Sequence, residues 1–133
     1  SAKELSFQIN GSGEFIVDQI DAEQLHANIN GSGKMRLDKI NATNTRLSID
    51  GSGKYIVAGQ SDTVELLVNG SGRIQAQNLE SEQAQASING SGNIAVWASE
   101  QLTARITGSG EITYRGQADV ATVINGSGSI HAE

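Results

Sequence analysis

Lys34, Lys54 and Arg73 each stand three residues after the first glycine of a Gly-Ser-Gly. If those glycines mark equivalent turns, the three cations lie in adjacent layers with Arg36 beside them. Such a row suits an anionic polymer, for example a surface polysaccharide. The full series at this position is Glu14, Lys34, Lys54, Arg73, Asn93, Glu111 and Ser129, so a solvated face compensated by its own acids is the competing explanation. Trp97 and Arg115 also occupy equivalent positions, which predicts a cation–π contact. An outward Trp can serve as a platform for a sugar ring, or it can pack over a corner or into an oligomer contact. Asp18 and Asp38 stack likewise, and could attract a cation or imitate the paired carboxylates of a polysaccharide-cleaving enzyme. Enzymatic solenoids, however, build clefts from long inserted loops, and no repeat here exceeds 20 residues. No catalytic residue is assigned.

Composition excludes further chemistry. The 133 residues contain no Cys, and His26 and His131 cannot form a zinc centre without other ligands, so no metal or cofactor is expected. Fifteen acidic against nine basic residues give a net charge of −6, which opposes nucleic-acid binding and suits a self-repelling, soluble surface. No run reaches the roughly 18 apolar residues of a membrane-spanning helix, and no signal peptide is read. The chain opens on Ser1-Ala2-Lys3 without an initiator Met, which fits a processed product.

The elements that must position these residues follow from the repeat. Gly-Ser-Gly begins at residues 11, 31, 51, 70, 90, 108 and 126, spaced by 20, 20, 19, 20, 18 and 18 residues. The preceding residue is Asn10, Asn30, Asp50, Asn69, Asn89, Thr107 or Asn125. Before each corner the apolar residues alternate, as in Leu5/Phe7/Ile9, Thr45/Leu47/Ile49 and Leu102/Ala104/Ile106; after it they resume, as in Phe15/Val17, Tyr55/Val57 and Ile112/Tyr114. Period-two alternation marks half-buried strands. Each repeat therefore reads strand, glycine corner, strand.

Stacked Asn-Gly hairpins are one way to arrange such pairs. Identical corners in every copy favour a solenoid, in which equivalent residues superpose about 4.8 Å apart. The expected fold is all-β: a right-handed parallel β-helix of about seven 18–20-residue coils, forming one domain over residues 1–133. The 20-residue steps insert an apolar–polar pair after the second strand (Ile20-Asp21, Ile40-Asn41, Leu79-Glu80), and the 18-residue steps do not, so the cross-section should narrow toward the C-terminus. The glycines supply positive φ or close approach, and the stacked Asn side chains are expected to tolerate left-handed geometry and bond along the stack.

The corner lacks the helix and Gly-Lys-Ser/Thr of a phosphate loop and the turn carboxylates of a calcium-binding β-helix. The Asn-Gly-Ser and Asn41-Ala42-Thr43 glycosylation acceptors are read as coincidences of turn chemistry. The threonines form no regular rank of an ice-binding kind. Ile16, Ile56, Leu67 and Val123 fall on outward positions. With open coil edges at the ends they predict self-association and a homo-oligomer.

The pattern A–x–I–x–G–S–G–x–I resembles the bacterial putative auto-transporter adhesin family, the head GIN domain. The run from Ala104 to Gly116 and the run from Ile124 to Ile130 carry the likeness most clearly. The resemblance implies a right-handed β-helix-like domain exported to the periplasm, outer membrane or cell surface. It supplies no catalytic residues. Its members usually carry a less regular β segment and a secretory or lipoprotein signal before the repeats; this sequence shows neither, so its first coil is expected to be uncapped if that segment normally covers it. The expected function is a non-enzymatic structural or adhesin-like envelope module acting through its faces and self-association. The alternative is a carbohydrate-binding module recognising a surface polysaccharide or other cell-surface component.

Overall fold

The computed structural model describes residues 2–132. Ten strands form one sheet: β1 (Ala2–Gly11), β2 (Glu14–Val17), β3 (Ile20–Gly31), β4 (Lys34–Gly51), β5 (Lys54–Gly70), β6 (Arg73–Gly90), β7 (Asn93–Gly108), β8 (Glu111–Arg115), β9 (Asp119–Gly126) and β10 (Ser129–Ala132). Every pairing is parallel. The first glycines align from Gly11 through Gly31, Gly51, Gly70, Gly90 and Gly108 to Gly126. Seven corners thus bound six full turns of a parallel β-solenoid, close to the seven coils counted from the sequence.

Each 19- or 20-residue coil has three straight runs rather than two. In β4 the buried positions are Met35 and Leu37, then Ile40 and Ala42, then Thr45, Leu47 and Ile49. Two outward residues in succession, at Asp38-Lys39 and again at Thr43-Asn44, break the alternation and turn the chain. The inserted pairs Ile20-Asp21, Ile40-Asn41 and Leu79-Glu80 therefore begin a third side, completed inwardly by Ala22, Ala42 and Ser81. Apolar rows such as Ile29, Ile49, Val68, Ile88 and Ile106 fill the interior, each row burying its side chains against the next coil. Buried hydroxyls are paired: Thr45 donates to Ser61 Oγ at 2.9 Å, and Ser81 donates to the Trp97 carbonyl at 2.6 Å.

The corners show why the motif repeats. Gly51 has φ +129°, and a Cβ there would stand 2.5 Å from the Gly31 carbonyl oxygen of the coil below. Gly53 is buried, and its Cβ would meet Ile29 Cγ2 at 2.6 Å and the Gly33 carbonyl at 2.9 Å. Between them Ser52 N–H donates to Gly31 O at 3.0 Å, and Lys54 N–H donates to Gly33 O at 3.0 Å. The ladder passes through the corner unbroken. Its amide donors are engaged coil to coil, so no phosphate cradle forms.

The Asn residues do not share the left-handed geometry expected of them: among the described residues no non-glycine has positive φ. The unusual conformation falls wholly on the glycine that follows, and the Asn side chain points outward.

The solenoid narrows where the spacing changes. β6 and β7 slip register between Ala76 and Glu80, leaving Gln77, Asn78 and Leu79 without partners in β7, and slip back partly between Ser81 and Gln83. The shorter step at β5 is accommodated by Gly59, aligned with Ile40 and too close to its backbone for any Cβ. Narrowing toward the C-terminus, expected from the 18-residue steps, is thus a discrete event at one coil.

Candidate functional site

Strand pairing sets the outward rows, and the cationic row lies as its spacing predicts. Glu14 aligns with Lys34, Lys34 with Lys54, Lys54 with Arg73, Arg73 with Asn93, Asn93 with Glu111, and Glu111 with Ser129. Five of the nine basic residues, Lys34, Arg36, Lys54, Arg73 and Arg115, lie on the run that follows the glycine corner. Positive charge is therefore gathered on one face of an acidic protein. Arg36 is committed within that face: its Nε donates to Asp38 Oδ1 at 2.8 Å. That hydrogen bond and the Asp38 charge, with a smaller push from Asp18, hold the Arg36 guanidinium above its ordinary pKa. Asp38 is therefore engaged by Arg36 and is not half of a free carboxylate pair with Asp18. The other ion pair among the described residues is Arg46–Glu65 at 3.8 Å, on a different face.

Trp97 and Arg115 meet. The guanidinium carbon lies 4.5 Å from the indole centroid, the geometry of a cation–π contact. Arg115 then reaches across a further coil, and its Nη1 donates to the Gln77 carbonyl at 3.3 Å. Gln77 begins the three residues left unpaired where the solenoid narrows, so the Arg115 side chain supplies a donor that β7 cannot. One face of the Trp97 ring is covered by the guanidinium, and the pair closes over the step. Sequence reasoning missed Gln77, whose side-chain oxygen is buried without a partner; the change of period from 20 to 18 residues was the available signal.

The outward apolar residues do not form one patch. Ile16 and Ile56 share a row with Arg36 between them. Leu67 and Val123 share another, separated by Ser87 and Arg105. Ile56 and Leu67 are half-buried, whereas Ile16 is 59% and Val123 46% exposed. Their neighbours in sequence, Phe15 at 37% and Ile124 at 40%, are exposed as well but stand on the inward rows, aligned with the buried Met35 and Ile106. Phe15 packs on Phe7 with ring centroids 5.0 Å apart. The hollows on the surface are open and bounded by both polar and apolar residues. One of about 210 Å³ adjoins the cationic row and is lined by Arg73, Gln75, Asn93, Ala95, Glu111 and Thr113. No cluster of His, Cys, Asp and Glu suited to a metal is found among the described residues, nor any helix long and apolar enough to cross a membrane.

The fold is that of a parallel β-solenoid with a filled interior, which leaves its outward rows as the surfaces free for contact. The chain belongs to the family described as putative auto-transporter adhesin, head GIN domain, whose model matches residues 2–118. The crystal structure of a putative lipid binding protein from Parabacteroides distasonis is similar at 33% identity and TM-score 0.95, over 99% of this chain and 55% of that one. A putative adhesin from the same organism is similar at 27% identity and TM-score 0.97, over 99% and 56%. A putative adhesin from Parabacteroides merdae, at 23% identity and TM-score 0.93 over 98% and 57%, shares the fold. The chain spans a little over half the length of these proteins. None of the curated proteins matches it in sequence. The family and these relatives are described as adhesins or as lipid binding, not as enzymes.

Proposed function

We propose that this chain is the display module of an exported, adhesin-like envelope protein, which acts without catalysis by presenting flat solenoid faces to other molecules at the cell surface. The observation that carries this is the division between inside and outside: the interior is filled by stacked apolar rows, while the chemically distinctive side chains lie outward in register. A filled interior gives an acyl chain no entry between coils, so a lipid of the kind one relative's description suggests would meet a face or an end. The test is labelling of intact cells carrying the full-length protein, with antibody against the solenoid, before and after permeabilising the envelope. Labelling of intact cells, with loss of cell adhesion when the module is deleted, is expected. Labelling only after complete lysis would defeat the proposal.

A second mode, self-association, is favoured by the exposed apolar side chains of Phe15, Ile16, Val123 and Ile124 in the first and last coils described. Light scattering over a wide concentration range should show a mass that falls on replacing Ile16 and Val123 by Ser. A monomer at every concentration would remove this mode.

A further inference from the structure

We infer that Lys34, Lys54 and Arg73 form a binding site for an acidic linear polysaccharide, one with a carboxylate or sulfate on successive units, lying across the coils and parallel to the solenoid axis. This rests on the face-display function proposed above and names its ligand class. The three cations stand in single file in consecutive strands, about 4.8 Å apart by strand spacing. None takes part in an ion pair among the described residues. Like charges directly opposed on neighbouring strands repel, so the row works against the fold that holds it. A line of anions laid along it relieves that repulsion. Arg36, one position further along the same face, is already neutralised by Asp38 and stays out of the site.

The surroundings select a polymer over other anions. Acids bound the row without interrupting it: Glu14 below Lys34, Glu111 beyond Asn93, and Asp50 on the far side of the corner from Lys54. Across that corner runs the series Asn30, Asp50, Asn69 and Asn89. At its upper end the row enters the 210 Å³ hollow beside Arg73, where Gln75, Asn93 and Thr113 offer amide and hydroxyl groups and Ala95 leaves room for a ring. The Glu111 carboxylate on the far wall can accept from a sugar hydroxyl but repels a further acid group. These groups match the hydroxyls of a sugar. The cations occupy three consecutive strands only, bounded in the same row by Glu14 and Glu111. The favourable contact is therefore a narrow one that suits a single anionic strand better than a planar membrane or a wide nucleic-acid duplex.

The experiment measures binding of the full chain to polygalacturonate, and in parallel to heparin, across a sodium chloride series. On a single-stranded polyanion about 0.7 counterion is released per charge neutralised, so three contacts predict a log–log salt slope of roughly −2. Lys34→Gln, Lys54→Gln and Arg73→Gln should each reduce that magnitude by about 0.7, and the triple variant should lose retention with its melting transition intact. Ala95→Leu, which fills the hollow, should weaken polymer binding several-fold without changing the slope. Phosphatidylglycerol vesicles form the control arm. Equal polymer binding by the triple variant overturns the inference, as does failure of the wild type to bind either polymer. Row-dependent binding to vesicles and not to the polymers assigns the cations to a lipid surface and also overturns it. Surface labelling of intact cells with no polymer binding would defeat this site and leave the display function standing.

Discussion

Gly13 and Gly53 hold the same place in the same motif, yet a methyl group should affect them oppositely. At Gly53 a Cβ would lie 2.6 Å from Ile29 Cγ2 and 2.9 Å from the Gly33 carbonyl. Contacts this short force the coils apart, and overpacking of that kind costs about 1–3 kcal/mol. The same displacement strains the hydrogen bond from Lys54 N–H to Gly33 O, worth about 1 kcal/mol. Gly53→Ala should therefore lose roughly 2–4 kcal/mol, and Gly53→Val more. At Gly13 a Cβ meets only Ile9 Cγ2, at an ordinary 3.7 Å. Gly13→Ala should be neutral, or stabilising by roughly 0.5 kcal/mol through lower unfolded-chain entropy. Because Gly13 lies in an end coil, Gly33→Ala is the control: it is one coil further in, and its Cβ would meet Ile9 Cγ2 at 2.5 Å and Gly13 O at 2.9 Å. Urea unfolding followed by circular dichroism, with m-values compared, measures all three. Losses at residues 33 and 53 but not 13 are expected. Equal stability of the three variants within about 0.5 kcal/mol would refute the stacked corner.

Three further outcomes follow from the same geometry. Tyr55 is fully buried and its hydroxyl donates to the Ser48 carbonyl at 2.9 Å; burial lifts its pKa well above the ordinary value of about 10. The unfolded chain then loses this proton first, so stability is full below about pH 10 and falls above it by up to about 1.4 kcal/mol per pH unit; Tyr55→Phe should flatten that alkaline slope, and an identical slope in the variant would contradict it. Arg115→Met should lower stability by about 1 kcal/mol and alter Trp97 emission, while neutral monosaccharides leave the wild-type emission unchanged because the guanidinium covers one ring face; a saturable sugar-induced change would count against that packing role. Lys54→Gln removes the middle of three stacked cations and should raise stability by up to about 0.5 kcal/mol, a gain that shrinks in high salt; melting curves at low and high sodium chloride show either this or its absence.

The corners were legible in the sequence because each glycine answers a constraint repeated in every interior coil: the coil below leaves no space for a Cβ. Inward rows were legible for a similar reason, and even Thr45 could be placed inward from its alternation with Leu47 and Ile49. The third side was not. Its inward members are two residues apart, Ile40 with Ala42 or Leu79 with Ser81, and in one coil they become Gly59 with Ser61. A run that short carries no period, and its apolar–polar pair looks like an insertion. The Trp97–Arg115 contact was readable since both residues follow the last change in spacing, but Gln77 was hidden because it has no counterpart in the next coil.

Repetition thus exposes what every coil must satisfy and conceals what one coil does alone. Candidate sites fall between these cases. The register that stacks Lys34, Lys54 and Arg73 follows from the copied corners, while no interior contact in any coil requires a cation at that outward position. Glu14, Asn93 and Ser129 occupy it in other coils without altering the ladder. The backbone therefore fixes where these charges lie and is indifferent to whether they are there, and that indifference separates the cationic row from the glycines as a candidate for selection by a ligand.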